Sequence, residues 1–355
     1  MVNIGVDLHK TQMTVCFLAD DGTSVMRVYG TSNAGYMTFL TALHDFKIPR
    51  KDIRIAVETT GNVWNFMTRV EEHAGVVKVV NTMKFKVIVE STSKTDRRDA
   101  QTLATYLQKD MLPTVTLPDA ESRILAKYVK TRDKYVKLTT RLKNQIHAIF
   151  LEEGLELKAS SLTSKKRLNK LKEQSGFSEE ILFLVEGLVD DLISLKSRIK
   201  AIEKKLMELT EKDKDVELLR TIPGTGIVNA SAVRSIVASI DRFDDPKKLA
   251  SYAGLVPWVN NSNETIHHGH ITKRGSKILR NAFVQMAQCM IRGWGMTDDV
   301  PNLRLCIWYN QMKKRSGGGK SKIALARKLS QIVWAMLKTR TPFMNTLEKS
   351  LSQAG

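Results

Sequence analysis

The sequence predicts an α/β domain at the N-terminus, a long helical region in the middle, and a mostly helical domain at the C-terminus. Short N-terminal segments alternate apolar and polar residues, as strands do, with helical segments between them. Residues 119–151 and 178–212 have the spacing of long amphipathic helices. A chain of 355 residues, 42% of them hydrophobic, is long enough for two or three cored domains. We therefore expect domains at 1–118, 119–214 and 215–355.

The N-terminal segments predict three strands followed by a helix. VNIGVD (2–7) and TQMTVCFLAD read as strands, and Asp21-Gly22 is a strong hairpin-turn signal before TSVMRVYG (23–30). Residues 34–46 then have helical spacing, and DIRIAVE (52–58) alternates as a fourth strand.

The next segments complete the pattern. NVWNFMTRVEEHA predicts a helix, GVVKVV (75–80) a fifth strand, and Thr95 is a plausible N-cap for a further helix. The order strand, strand, strand, helix, strand, helix, strand, helix is that of a ribonuclease H-like fold. The predicted fold class is therefore α/β plus α, with a ribonuclease H-like N-terminal domain.

Four carboxylates fall at functional positions of such a fold. Asp7 ends the first strand, Glu58 ends the fourth, and Asp96 and Asp99 share one turn of the helix that follows the fifth. The first and fourth strands are neighbours in this fold, so their ends lie close together. Four converging carboxylates would repel unless a divalent cation lay among them, and oxygen ligands suit Mg²⁺ or Mn²⁺. Two such ions ~3.5–4 Å apart can hold the attacking and leaving oxygens of a phosphoryl transfer.

The stretch SKTDRRDA (93–100), which contains two of these acids, allows a second interpretation. Lys94, Arg97 and Arg98 surround the acids, so the segment could be a solvated turn stabilised by local charge pairs. In the metal-site interpretation, the same bases face a nucleic acid backbone or balance charge.

The charge of the chain predicts a polyanionic partner. The formal net charge is +19 and the isoelectric point about 9.8, which indicates nucleic acid binding. One basic stripe follows the helix at 119–151; its members, three and four residues apart, are Arg123, Lys127, Lys130, Lys134, Lys137 and Arg141. A solvated helix face is the alternative, but the absence of acids from the stripe favours phosphate contact.

Two further segments add basic surface. Residues 157–177 are polar and basic and predict a loop. Residues 313–328 contain Gly317–Gly319, which predicts a flexible basic loop. Between them, the apolar spacing of residues 178–212 predicts a coiled-coil-like hairpin or part of a dimer seam.

The segment LLRTIPGTGIVNASAV (218–233) predicts a turn between two helices that resembles a helix-hairpin-helix turn. Gly224 and Gly226 would let backbone N–H groups at the start of the second helix approach a phosphate. A tight helix–helix connection without a ligand is the alternative.

The cysteines and the apolar runs bear on where the protein works. Three widely spaced cysteines, Cys16, Cys289 and Cys306, indicate neither a disulfide framework nor a zinc site, so we expect a reducing cytoplasm. We expect no signal peptide, because the N-terminal sequence lacks an apolar h-region. Since no apolar run approaches the ~18 residues of a membrane span, we also expect no membrane association.

The combined motifs resemble a known family. GVDLHK, AVETTG, SKTDRRDA, TIPGTG, LASYAGLVP and ITKRGSKILR occur in the order seen in transposases of insertion-sequence family 110, over residues 3 to 343. The resemblance implies a RuvC-like domain with an Asp-Glu-Asp-Asp metal site, a coiled-coil insertion and a C-terminal transposase domain. By this resemblance Asp7, Glu58, Asp96 and Asp99 would bind the metal and act in catalysis.

The resemblance also implies a serine nucleophile between the Gly-Leu-x-Pro and Ile-Thr-Lys elements, and Ser262 takes that role here. Many members have a Ser-Ser-Gly or Ser-Thr-Gly run, whereas asparagines flank Ser262 in this chain. A hydroxyl needs activation to attack a phosphodiester, and the basic residues that follow could stabilise charge on that phosphate: Lys273, Arg274 and Lys277. A simple turn residue is the alternative interpretation of Ser262.

The resemblance implies several partners. They are double-stranded DNA, both as element ends and as target, and a structured non-coding guide RNA that pairs with these DNAs. Joining two DNA ends requires more than one active site, so we expect a homodimer or tetramer associated with the nucleoid. Two other classes remain: a metal-dependent junction-resolving nuclease with water as nucleophile, and a non-catalytic nucleic-acid-binding protein. The presence of all four acids disfavours the last.

Overall fold

The structure is a computed structural model that describes residues 1–82, 84–85, 95–172, 177–262, 265–294 and 304–343. The chain divides into two compact units, Met1–Leu117 and Pro118–Gly355. Within the described ranges, no helix combines the length and the apolar character needed to cross a membrane.

The first unit is built on a five-stranded mixed sheet in the order β3-β2-β1-β4-β5. The strands are β1 Val2–Leu8, β2 Gln12–Ala19, β3 Ser24–Gly30, β4 Ile53–Glu58 and β5 Val76–Val80. The helices are α1 Asn33–Asp45, α2 Val63–Val70 and α3 Asp96–Gln108. β1 to β3 pair antiparallel, whereas β1–β4 and β4–β5 pair parallel. These strands and helices confirm the element order predicted from the sequence, and β1 and β4 are neighbours as expected.

The local signals that fix this unit are also confirmed. Gly22 has a φ of 86°, which a residue with a side chain rarely adopts, and it turns the chain between β2 and β3. Thr95 is the N-cap of α3, and its hydroxyl accepts a hydrogen bond of 3.3 Å from the Arg98 backbone N–H.

Helices cover both faces of the sheet. Val2, Ile4, Val6 and Leu8 of β1 pack in one core with α1 and α2, in which aromatic rings such as Phe39 are fully buried. The alternate residues of β1 face α3, since successive strand residues point to opposite faces. Gly5 permits a close approach there: a Cβ at this position would lie 2.0 Å from the Ala100 carbonyl oxygen. The absence of a side chain at Gly5 therefore lets α3 lie directly on β1.

The second unit is mostly helical with one β-hairpin. Its helices are α4 Ala120–Glu152, α5 Lys165–Lys172, α6 Glu179–Leu209, α7 Lys214–Arg220, α8 Ile227–Val237, α9 Pro246–Tyr252, α10 Lys277–Trp294 and α11 Arg304–Thr339. The antiparallel hairpin consists of β6 Pro257–Ser262 and β7 Thr265–Ile271. The sequence pattern predicts mostly helix in this region and does not indicate the hairpin.

The long helices α4 and α6 form a helical hairpin. Ile146 and Phe150 of α4 pack in one buried cluster with Val185, Val189 and Leu192 of α6. Farther along the pair, Arg132 donates a 2.7 Å hydrogen bond to Glu203. The predicted helices therefore pack on each other through the apolar face that their spacing indicates.

The prediction of a loop for residues 157–177 was wrong for most of the part that the structure describes, and residues 173–176 lie outside it. A 3₁₀ turn covers Ala159–Leu162 and is followed by α5. Leu162 and Leu171 are buried in the cluster between α4 and α6, so this apolar anchoring holds a segment whose composition is mostly polar. Lys196 of α6 also donates a 2.6 Å hydrogen bond to the Leu162 carbonyl.

The prediction of a flexible loop at Gly317–Gly319 was also wrong. α11 consists of two helical segments that meet at a kink, where Gly317 alone has non-helical angles, with φ 76° and ψ 160°. Tyr309 before the kink and Leu325 after it are both buried in the main core of the second unit. Ser321 donates a 2.8 Å hydrogen bond to the Gly317 carbonyl, so the helix continues directly after the kink.

One partly buried arginine connects three helices of the second unit. Arg234 of α8, whose side chain is 13% exposed, donates a 3.0 Å hydrogen bond to Asp213, the N-cap of α7. It also hydrogen-bonds Ser122 and lies 3.5 Å from Asp119, the N-cap of α4. Burial alone would raise the pKa of Asp119, but hydrogen bonds from Ser122 and the charge of Arg234 hold that pKa below its usual range.

Candidate active site

Two predicted carboxylates lie side by side at the end of the sheet. The parallel pairing of β1 with β4 ends at Val6 and Val57, and Asp7 and Glu58 are the next residues on the two strands. Neighbouring strands are ~4.8 Å apart, so these two positions are adjacent. Asp7 and Glu58 follow the pair Gly5–Ala56 by two residues and therefore project from the same face, the one covered by α3.

Helix α3 brings two further carboxylates to this face. Ala100 and Ala104 lie over Gly5, and Asp96 and Asp99 are one turn closer to the start of the helix. One helical turn rises ~5.4 Å and two strand residues ~6.8 Å, so the first turn of α3 lies over Asp7. The charges of Asp96 and Asp99 both act on Asp7. The four predicted acids thus belong to one face of the first unit.

Asp7 has the electrostatics of a buried acid among like charges. Its side chain is 11% exposed. Burial is the main factor that raises the pKa of Asp7, and the charges of Asp96 and Asp99 raise it further, while His9 opposes them. A bound cation would compensate both the burial and the repulsion.

The structure adds one residue that the sequence analysis missed. Nε2 of His9 lies 3.0 Å from Oδ2 of Asp7 and 3.5 Å from Oδ1 of Asp96. His9 follows Asp7 by two residues, and this spacing, the period of a strand, was the available signal.

Three of these side chains can hold one ion. Asp7, His9 and Asp96 each offer a ligand atom, and these atoms all lie within 4.8 Å of one another. Carboxylates with an imidazole are a suitable donor set for a divalent cation. Glu58 and Asp99 are half-buried beside this group. The surrounding bases Arg97 and Arg98 are exposed, while Lys94 lies outside the described residues.

Ser262 lies in the second unit, where it ends β6 and pairs through its backbone with Thr265 of β7. The base of this hairpin is fixed by two loops that cross closely. Thr272 donates a backbone hydrogen bond of 2.9 Å to Val256, and a Cβ at Gly275 would lie 2.2 Å from the Tyr252 carbonyl oxygen. The motifs LASYAGLVP and ITKRGSKILR therefore form one structural element.

The predicted phosphate contacts after this hairpin are available to a ligand. Lys273, Arg274 and Lys277 are exposed, and Lys277 begins α10. Ser276 caps that helix, because its hydroxyl accepts a 3.3 Å hydrogen bond from the Leu279 N–H. A helix N-terminus flanked by three cations is a favourable environment for an anion.

The two turn glycines have different environments. Gly224, with a φ of 79°, would clash through a Cβ with the backbone of α10, 2.9 Å from the Met290 nitrogen. Gly224 is thus required for packing and for its left-handed backbone. Gly226 is the N-cap of α8 and has open space around its Cβ position, so this residue leaves the start of α8 accessible.

The basic stripe lies along α4. Lys127, Lys130, Lys134, Lys137 and Arg141 are exposed, and Arg123 is half-buried. Lys137 forms an ion pair with Asp133, one turn earlier, so this member of the stripe has an acidic neighbour. A depression of about 1090 Å³ elsewhere in the unit is lined by Asp213, Asp215 and Arg234, among others, and by none of the predicted site residues.

Two family models match the chain. A model described as a transposase, of the Asp-Glu-Asp-Asp type from IS110, matches residues 4–153. A second model, described as the transposase IS116/IS110/IS902 family, matches residues 216–298. Together the two matches cover well over half of the 355 residues.

Curated relatives agree over most of their length. The transposase for insertion sequence element IS1111A of Coxiella burnetii is 26% identical over 94% of this chain and 89% of its own. The pilin gene-inverting protein of Moraxella bovis is 25% identical over 96% of this chain and 97% of its own. The transposase for IS1328 of Yersinia enterocolitica is 25% identical over 81% and 85%.

The matched domain type indicates dependence on a divalent metal, and the group formed by Asp7, His9 and Asp96 is a possible place for that ion. The transposase relatives of this chain imply that its substrate is DNA. The two family models and the full-length relatives show that the chain belongs to the IS116/IS110/IS902 family and is a DNA transposase.

Proposed function

We propose that this transposase cuts and rejoins DNA strands at the ends of its own insertion sequence and at a target site. In this proposal Ser262 is the nucleophile, and Asp7, Glu58, Asp96 and Asp99 form a site for Mg²⁺ or Mn²⁺. The first unit would have a ribonuclease H-like, RuvC-like fold. The strand order, with three antiparallel strands followed by two parallel ones, supports this fold.

The convergence of acids at one end of the sheet carries the proposal. Three independent elements supply them: β1, β4 and α3. Asp7 is nearly buried on a face where Asp96 and Asp99 repel it, an arrangement that costs stability unless the site has a charged ligand.

In this site the metal ion would stabilise charge, and the strands and helix would position the carboxylates that bind it. When bound, a divalent cation polarises a phosphate oxygen and offsets the charge that develops in phosphoryl transfer. Asp7 pairs with Thr14 of β2 and follows the last pair between β1 and β4, and Asp96 and Asp99 are held by the capped first turn of α3. These anchors would keep the carboxylates in place when DNA binds.

The reaction of the serine would be a transesterification. Ser262 Oγ loses its proton and forms a bond to a DNA phosphorus, while the bond from that phosphorus to the leaving strand oxygen breaks. The leaving oxygen takes up a proton, and the enzyme keeps a phosphoserine link. Attack by another strand's hydroxyl on this link would restore a phosphodiester. Lys273, Arg274 and the start of α10 at Lys277 supply N–H donors that would stabilise the phosphate charge.

A relative's name favours recombination over hydrolysis. The Moraxella bovis protein is called a pilin gene-inverting protein, and inversion requires that cut strands be rejoined. The match covers 96% of this chain and 97% of that protein. The junction-resolving nuclease, which leaves cut ends after attack by water, accounts less well for this relationship.

The remaining parts of the proposal concern partners. Residues 1–118 would be the metal-dependent catalytic domain, 119–214 would bind nucleic acid and form part of a subunit interface, and 215–355 would hold the nucleophile. The exposed cations of the α4 stripe give surface for DNA and for a structured guide RNA. A homodimer or tetramer, working on the chromosome in the bacterial cytoplasm, would bring two DNA ends together.

A trapping assay tests this function. The full chain is mixed with Mg²⁺, the RNA of its element, and labelled DNA that carries the element junction and the target. We expect a covalent protein–DNA adduct on a denaturing gel for the wild type and for Ser251→Ala, which changes an exposed serine of α9. The adduct should be absent for Ser262→Ala. Cleaved DNA without an adduct in every lane would refute the serine mechanism and favour the nuclease.

A further inference from the structure

The position of His9 is fixed by the backbone on both sides. Its N–H donates a 2.9 Å hydrogen bond to the Gln12 carbonyl, and its own carbonyl accepts a 2.7 Å hydrogen bond from Asn62. Asn62 in turn accepts a 2.9 Å hydrogen bond from Thr60, in the loop that follows Glu58. His9 is therefore held against the ends of both strands that carry carboxylates.

The ring of His9 points into the acidic group. Nε2 lies 3.0 Å from an oxygen of Asp7 and 3.5 Å from an oxygen of Asp96. Two ligand atoms bound to one ion at ~2.1 Å are ~3.0 Å apart in an octahedral site and ~3.4 Å apart in a tetrahedral one. The separation of 3.0 Å matches the octahedral value and that of 3.5 Å lies near the tetrahedral one, and the ligand atoms of all three side chains lie within 4.8 Å of one another. An ion could therefore contact all three side chains after a small rearrangement.

The geometry points to His9 as a nitrogen ligand of the metal, which makes this site select for transition-metal ions over Mg²⁺. This inference rests on the proposed metal site and adds to it a ligand outside the four acids. Oxygen ligands suit Mg²⁺, whereas imidazole binds Mn²⁺ and the later divalent metals better than it binds Mg²⁺. The Asp–His–Asp group would thus bind Mn²⁺ more tightly than a site of carboxylates alone.

A competing role for His9 is purely structural. The same distances allow the ring to hydrogen-bond one or both carboxylates and to hold them in place. A glutamine at this position can make similar hydrogen bonds but has no imidazole nitrogen. His9→Gln therefore separates the two roles.

The direct test is pulsed EPR on Mn²⁺ bound to the full chain labelled with ¹⁵N-histidine. We expect a hyperfine coupling from histidine nitrogen in the wild type and in His147→Gln, which changes a histidine on α4 in the other unit. The coupling should vanish in His9→Gln. Bound Mn²⁺ without histidine coupling in the wild type would overturn the inference and leave a site of acids alone.

Calorimetry of metal binding gives a second readout. Loss of His9 should weaken Mn²⁺ binding ~10-fold or more and Mg²⁺ binding by less than ~3-fold, because the lost ligand is nitrogen. Equal weakening of both ions would contradict the inference. Asp7→Asn is the reference: loss of Mn²⁺ binding there locates the ion among the acids. If the wild type binds neither ion, both the inference and the proposed metal site fail.

Discussion

A single methyl group at Gly5 should disrupt both the fold of the first unit and its metal site. In Gly5→Ala the new Cβ would lie 2.0 Å from the Ala100 carbonyl oxygen and 2.5 Å from the Ala104 nitrogen, both backbone atoms of α3. An ordinary contact needs ~3.5 Å, so α3 would have to move away from the sheet by about 1.5 Å. Side-chain rotation cannot relieve this clash, since backbone atoms make it.

The size of the effect follows from what α3 buries. Ala100, Leu103, Ala104 and Leu107 are fully buried, and a gap of 0.5–1 Å already removes a quarter to a half of each contact's attraction. We expect a loss of about 3 kcal/mol in the free energy of unfolding, at the upper end for overpacked sites. That is a large part of the ~5–15 kcal/mol that stabilises a domain.

Hydrogen exchange with mass spectrometry can locate the loss, because β1 and α3 peptides report on the first unit alone. Gly30→Ala is the matched control: it also changes a strand glycine of this sheet, but its nearest heavy atom would be at an ordinary 3.7 Å. Protection of β1 and α3 should fall in Gly5→Ala only, and Mn²⁺ binding should weaken because Asp96 moves with α3. Equal protection in the two variants would refute the argument from close packing.

Three other predictions concern the second unit. Arg234→Met should lower the free energy of unfolding by about 3 kcal/mol in urea titrations, because it leaves partly buried acids unpaired; an unchanged midpoint would contradict this role. Asp119→Ala should cost about 1 kcal/mol at pH 7 through loss of the cap, and the difference from wild type should shrink as pH falls below about 4, where the lowered pKa of Asp119 stops favouring the folded state. Replacing Lys130 and Lys134 with alanine should reduce the salt slope of DNA binding by about 2 in filter binding, whereas an unchanged slope would mean that the stripe is only a solvated face.

The strands and helices of the first unit could be predicted from the sequence because the signals that specify them are local. Alternation located the strands, Thr95 marked the start of α3, and parallel neighbours place their ends together, so the four acids could be grouped. His9 was missed because a polar residue just after a strand is usually part of a turn. Its contacts with Asp7 and Asp96 depend on how α3 packs on β1, which no local pattern states.

The second unit was harder to predict because distant contacts override composition there. Leu162 and Leu171 anchor a basic segment in the core between α4 and α6. Buried residues before and after the glycines hold both parts of α11 in the core of the second unit. The hairpin of β6 and β7 has few apolar residues. The two loops that cross at its base fix where its strands begin and end. Propensity alone therefore indicated loops or helix where tertiary contacts impose other structures.

Those crossed loops have a consequence for the evolution and engineering of this segment. They hold the start of β6 near Val256 and the end of β7 near Thr272. Because these two ends are fixed, the number of residues in each strand determines which residues pair across the hairpin. Strand side chains alternate between faces, and a one-residue insertion in a strand moves every residue after it to the opposite face without changing its chemistry. Exchanges of residue type along β6 should thus be tolerated better than any change in its number of residues.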